Sequence, residues 1–295
     1  MGATLAVVAT AGVFAFLVLT RPNPIDAAAV PSHEPDRSNG EALYHAGSCF
    51  TCHAPPRETR GEKSLPSGGK PFPTPVGTFF PQNLTPDPET GIGRWSALDF
   101  VNAMWRGISP RGRHYFPAFP YTSYRFMRVE DVLDLRAYLM SLEPVRSPPR
   151  EADVLFVGLT RRGVGLWKRL ALDDRTDAPD PSRGAAWNRG RYLVRGVGHC
   201  GECHTPRNWL MVLDEPRALA GAPHPRGEGQ VPSLRGLVAR ERYKDAPDLV
   251  LAFQYGETFG YDKLSSGGMG DIQESLALLP EAELSAIAEY LISLP

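Results

Sequence analysis

The chain of 295 residues carries 32 Lys and Arg against 33 Asp and Glu, a formal net charge of −1. That balance argues against a nucleic-acid binder, which would carry a strong basic excess. Hydrophobic residues at 42% and charged residues at 22% exclude a disordered chain, and the length allows two domains of ordinary size.

The first predicted element is Thr4 to Thr20, TLAVVATAGVFAFLVLT, which contains no charge. As a helix it would span roughly 26 Å at about 1.5 Å per residue, near the lower limit for crossing a bilayer. Arg21, Pro22 and Pro24 close it. Two readings compete for residues 1–22. A retained membrane anchor fits the lack of Lys or Arg ahead of the apolar run. A cleaved signal peptide would use the small residues Ala27-Ala28-Ala29, with Asp26 a poor neighbour for cleavage. Either reading exports the rest of the chain.

Beyond this segment the chain repeats itself. A helix containing Asn39-Gly40-Glu41-Ala42-Leu43-Tyr44 leads into Cys49-Phe50-Thr51-Cys52-His53. A Gly/Pro-rich loop follows, then a helix over Asp99 to Gly107, another loop, and a terminal helix with Val132, Leu135, Leu139 and Leu142 on one face. The same order recurs from Arg189-Gly190-Arg191-Tyr192-Leu193-Val194 into Cys200-Gly201-Glu202-Cys203-His204, 151 residues after the first motif. Asp248 to Gly256 parallels Asp99 to Gly107 at an offset of 149, and Glu289-Tyr290-Leu291-Ile292-Ser293-Leu294 parallels Ala137-Tyr138-Leu139-Met140-Ser141-Leu142 at 152. The last helix places Leu284, Ile287, Ala288, Leu291 and Leu294 at helical spacing. Gly40 and Gly190 would let the first helix of each repeat approach its terminal helix closely. The expected organisation is therefore residues 36–146 and 183–295 as two domains, joined by a linker over 147–182. Within that linker the stretch from Arg161 to Arg169 reads either as a helix packed across both domains or as a basic amphipathic piece touching lipid or a partner subunit.

The four cysteines, Cys49, Cys52, Cys200 and Cys203, are all consumed by two C-x-x-C-H motifs, the attachment signature of c-type haem. The spacing sets two thiols on one turn, where each can form a thioether to a porphyrin vinyl group. The next residue, His53 or His204, then supplies the proximal iron ligand. Zinc and thioredoxin-like readings of C-x-x-C do not account for the following histidine, the duplication and the export segment together. Two covalently bound haem c groups are expected.

The second axial ligand separates an electron carrier from a catalyst, and Met ligation is typical of cytochromes c. Of six methionines, Met1 is the start, Met104 and Met140 occupy slots held by Phe253 and Ile292 in the other repeat, and Met211 follows His204 by only seven residues. That leaves Met127 and Met269, which lie 74 and 65 residues after their histidines and ahead of the terminal helices. His114 is the rival to Met127. His33 and His45 precede the first motif, His199 is expected to face solvent or a propionate, and His224 sits in a Pro-rich loop. Trp95, Trp105 and Trp209 read as haem-pocket or core aromatics.

Three segments carry a resemblance: Asn83 to Gly93 (NLTPDPETGIG), Phe116 to Tyr121 (FPAFPY), and Gly198 to Asn208 (GHCGECHTPRN). Over roughly residues 36 to 295 the chain resembles the di-haem and multi-haem cytochrome c subunits of membrane-bound periplasmic dehydrogenases. The resemblance implies an all-α fold of two tandem class I cytochrome c domains with long Gly/Pro-rich loops, behind an N-terminal transmembrane helix. It also implies axial ligation by Met127 and Met269. The best-known such subunits carry three haems, whereas two motifs occur here. The implied function is electron transfer without catalytic residues, from a periplasmic dehydrogenase to a terminal oxidase, soluble cytochrome or quinone in the respiratory chain. The alternative is a di-haem peroxidase or thiosulfate-oxidising cytochrome. The expected location is the bacterial inner membrane, with the N-terminal helix in lipid and the haem domains in the periplasm.

Overall fold

The computed structural model describes residues 2–56, 65–172, 177–225, 229–256 and 269–295. It is mostly helical. The uncharged N-terminal run forms α1, Gly2–Leu19, with no buried residue. Among the described residues it is the one helix long and apolar enough to cross a membrane.

Helix α2, Arg37–Ala46, starts where the Asp36 side chain accepts hydrogen bonds from the amides of Ser38 and Asn39. The first C-x-x-C-H motif is itself a short helix, α3, Cys49–His53. An antiparallel ribbon follows, β1 Phe72–Thr74 with β2 Gly77–Phe79, pairing Phe72 with Phe79. Helix α4, Ala97–Arg106, opens with a complete capping box between Ser96 and Asp99 and closes on Gly107 in the left-handed region. A single turn, α5 at Tyr121–Tyr124, precedes α6, Val129–Met140. The linker contains α7, Val157–Ala171.

The order then repeats. Helix α8 spans Ala185–Arg195, and α9, Gly201–His204, completes the second motif. A ribbon pairs β3, Ala222–Pro223, with β4, Gln230–Val231. Helix α10, Ala246–Tyr255, is capped by Asp245, and α11 (Met269–Leu276) and α12 (Glu281–Ile292) end the chain.

Two helix pairs organise the packing, α2 with α6 and α8 with α12. Both crossings are close because a glycine lies at each. A Cβ at Gly40 would lie 2.1 Å from the Asp134 carbonyl oxygen, and one at Gly190 would lie 1.8 Å from that of Ala286. Helix α4 rests on α6, and α10 on α12. Leu43, Val101, Val132 and Leu139 from the first half, and Leu193, Leu249, Leu284 and Leu291 from the second, share one buried apolar cluster. Met104 is buried in it and Met140 packs against it, as their repeat slots predict.

Two features depart from the purely helical expectation. The ribbons give loop backbone a ladder where Gly and Pro discourage helix. Met269 is the first residue of α11, a helix that the repeat pattern does not supply; Gly267 and Gly268, which precede it in the sequence, lie outside the described residues. Within the linker, α7 packs across both halves. Its Lys168 ammonium donates to the carbonyls of Arg106 (2.5 Å) and Gly107 (2.7 Å), and the Trp167 indole donates to the Leu210 carbonyl at 2.7 Å.

Candidate haem-binding sites

Both motifs are entered through a non-glycine residue in the left-handed region, Ser48 at φ 46° and His199 at φ 40°. This conformation is uncommon for side-chain-bearing residues, and here it reverses the chain immediately before the first cysteine. Two carbonyls then start the turns: Ser48 accepts from the Thr51 amide and His199 from the Glu202 amide, each at 2.9 Å.

The histidines are held by matching clamps. His53 Nδ1 lies 2.6 Å from the Gln82 carbonyl oxygen, and His204 Nδ1 lies 2.7 Å from that of Pro232. A carbonyl can only accept, so Nδ1 carries the proton in both rings and Nε2 keeps its lone pair for a metal. The main chain of each histidine is pinned as well: its carbonyl accepts from the amide of Gly68 (2.7 Å) or Gly221 (2.8 Å). Both glycines have left-handed φ, 78° and 87°. Burial pushes the His53 pKa down to about 4 and lowers that of His204, so both rings are neutral. Burial pushes the Cys49 and Cys200 thiols up to about 12. None of the four cysteines is in a disulfide.

These residues fit a covalently held haem. Two thiols and a neutral imidazole, its Nε2 free and its tautomer set by a backbone acceptor, are the donor set the group needs.

Met127 is 2% exposed, in the apolar cluster that also holds Phe50 of the first motif. Its carbonyl accepts the Trp105 indole N–H at 3.1 Å. Met269 is partly buried at the head of α11, which packs on α10, α2 and α3. The rival His114 has its Nε2 2.9 Å from the Thr20 carbonyl, at the end of α1. His33 pairs with Asp134 at 2.6 Å. His199 is partly buried and packs edge-on against Tyr124, with Nε2 3.3 Å from the Gly47 carbonyl. Trp95 and Trp105 pack against the core, but Trp209, also expected inside, is 87% exposed. The cause lies in its loop: Asn208 and Met211 form a tight turn that holds the intervening residues outward.

The motif regions of the two halves meet. Thr122 and Ser123 hydroxyls donate to the Glu202 carboxylate, which also pairs with Arg207. Tyr192 donates to the buried Asp131 at 2.5 Å, and the Arg128 amide donates to the Tyr192 oxygen. Across the other edge, the Thr51 hydroxyl donates to the Asp271 carbonyl, and Lys70 pairs with the Asp271 carboxylate at 3.3 Å. The carbonyl partners Gln82 and Pro232 escape a search of side chains. A signal for them does exist in the sequence: Gln82-Asn83-Leu84 and Pro232-Ser233-Leu234 stand at the repeat offset.

No family model matches the chain. Among curated proteins it is similar to a diheme cytochrome c-type protein of Cereibacter sphaeroides, 39% identical over 298 aligned positions covering 99% of this chain and 97% of the relative. The chain belongs to the c-type cytochrome subunit family. Two further relatives are longer, and this cytochrome spans little more than half of each. It is 34% identical to the fructose dehydrogenase cytochrome subunit of Gluconobacter japonicus, aligning 93% of its own length with 56% of that protein. It is 36% identical to the gluconate 2-dehydrogenase cytochrome c subunit of Pantoea cypripedii, aligning 86% of its length with 58% of that protein. The cytochrome binds haem c covalently, and its function is electron transfer rather than substrate turnover.

Proposed function

We propose that this cytochrome carries two haem c groups, one in each of two tandem class I cytochrome c domains over residues 36–146 and 183–295. Cys49 and Cys52 would hold one by thioethers, with His53 Nε2 and the Met127 sulfur as axial ligands. Cys200, Cys203, His204 and Met269 would hold the other. Haem c supplies reversible one-electron chemistry at its iron. The chain's own residues fix where that chemistry happens. The paired clamps on His53 and His204 carry this reading: two rings, each oriented through Nδ1 by a loop carbonyl 29 or 28 residues downstream, present the same free nitrogen.

The electron donor is a periplasmic dehydrogenase, by analogy with the cytochrome subunits of fructose and gluconate dehydrogenases to which the chain is similar. The acceptor is a terminal oxidase, soluble cytochrome or quinone. Helix α1 spans the bacterial inner membrane once and leaves the rest in the periplasm. Its length of 18 residues gives about 27 Å of helix, close to the hydrocarbon thickness.

Haem content per chain and the oxidised absorption spectrum test the assignment together. Two haems are expected, with a sulfur-to-iron charge-transfer band that loses about half its intensity in either Met127→Leu or Met269→Leu. One haem per chain, or variants indistinguishable from wild type, refutes it. A high-spin component in the unaltered protein would instead point to an open iron and a peroxidase-like enzyme.

A further inference from the structure

Helix α7 carries an apolar stripe that no described residue covers. Leu159, Leu166 and Leu170 recur at steps of seven and four residues along one side, Leu159 and Leu170 are 64% and 63% exposed, and the cap residue Phe156 is exposed at the start of the helix. The opposite side is committed: Val164 and Lys168 are buried against the first half. The side between them holds the end of α1. The Arg162 guanidinium donates to the Leu17 carbonyl and the Thr20 hydroxyl, and Arg169 donates to the Leu19 carbonyl, at 2.7 to 2.8 Å. Gly165 lets the Thr20 carbonyl approach so closely that a Cβ there would lie 2.6 Å from it. At one end of the stripe, the bond from Trp167 to Leu210 brings alongside a loop whose Trp209 and Met211 are 87% and 60% exposed.

We infer that α7 is an interfacial helix, its stripe resting in the lipid surface together with Trp209 and Met211 where α1 leaves the bilayer. This rests on the reading of α1 as a membrane span. The tie is short and made by two arginines, so α7 lies within about one helix diameter, ~10 Å, of the point where α1 emerges. The stripe adjoins the α1-facing side, and Leu17, Val18 and Leu19 are themselves exposed there, so the two apolar surfaces are continuous. Of the four basic residues of α7, Lys168 is buried and Arg161 pairs with Glu151, which leaves Arg162 and Arg169 beside the stripe, and no acidic residue lies between Val157 and Ala171. Basic residues next to an apolar stripe suit an anionic lipid surface, and Trp is a residue of membrane interfaces. The consequence is orientational: α1 alone permits swivelling, whereas a second contact fixes which face of the haem-bearing body looks away from the membrane.

Single cysteines at Leu159→Cys, Leu166→Cys, Val8→Cys and Leu251→Cys, spin-labelled in the full-length holoprotein in phosphatidylcholine/phosphatidylglycerol nanodiscs, test this. Collision with oxygen relative to a water-soluble nickel chelate reports immersion. Labels at 8, 159 and 166 should show a ratio several-fold above that at 251, an exposed site on α10. A lipid ratio at 8 with an aqueous ratio at 159 and 166 overturns the inference and leaves the span standing. An aqueous ratio at 8 removes the span, and the inference with it. Labels at 159 and 166 shielded from both reagents mean that protein covers the stripe, which also overturns it. An unchanged haem spectrum in each variant establishes that it is folded.

Discussion

At the scale of single residues, the sites depend on groups with one permitted role. His53 and His204 each face a carbonyl that accepts only, so the ring's tautomer follows from geometry. Gly40 and Gly190 are similarly constrained, since any Cβ there would enter a carbonyl of the facing helix. Gly40→Ala and Gly190→Ala must push the helices apart, and each should cost about 1–3 kcal/mol in chemical denaturation of the holoprotein. Asp134 gives a pH signature. Burial pushes its carboxyl up, but hydrogen bonds from Asn39, His33 and the Asp36 amide outweigh that and hold it below its ordinary value. A lowered carboxyl contributes stability that is complete above about pH 4 and is lost as pH falls through the folded-state value. Acid titration followed by Soret dichroism should therefore be shallower below pH 4 in Asp134→Asn than in the wild type.

At the scale of elements, the terminal helices α6 and α12 were legible because their apolar positions recur with helical period, and such a pattern must be buried. Helices α4 and α10 were legible by repeat register, and each starts on an acceptor side chain and ends on a left-handed glycine. The cap of α4 also serves the site, because this helix carries Trp105 to the Met127 carbonyl. Ser96→Ala removes the bond to the Asp99 amide and should cost about 1 kcal/mol of thermal or denaturant stability. The ribbons and α11 were not legible. Two or three residues per strand leave too little alternation to read, and α11 begins at a methionine set among glycines, which locally favours a loop.

At the scale of the whole molecule, the junction between the halves turns two similar units into one body. Asp131, 1% exposed, accepts from Asn39 of α2, from Arg128 and from Tyr192 of α8, so one carboxylate ties three segments. Asp131→Ala takes the acceptor from Tyr192 and the carboxylate from Arg128, Asn39 keeping its bond to Asp134, and should cost about 2–3 kcal/mol. In a double-mutant cycle with Tyr192→Phe, measured by denaturation, the two changes should fall well short of additive, because they remove the same bond. The amino-acid sequence alone determined the covalent and the periodic: the two C-x-x-C-H motifs, the uncharged N-terminal run, the duplication, and the helices whose apolar stripes demand a partner. These are legible because the cause lies within a few residues of the effect. Tertiary structure alone decided which carbonyls orient the histidines, that His199 and Tyr124 meet edge to face at the junction, that Trp209 points outward, and that α7 is tied to the end of α1. Each of these joins groups distant along the chain, often through a backbone oxygen that every residue possesses, and an acceptor common to all residues leaves no mark in the sequence until folding selects one.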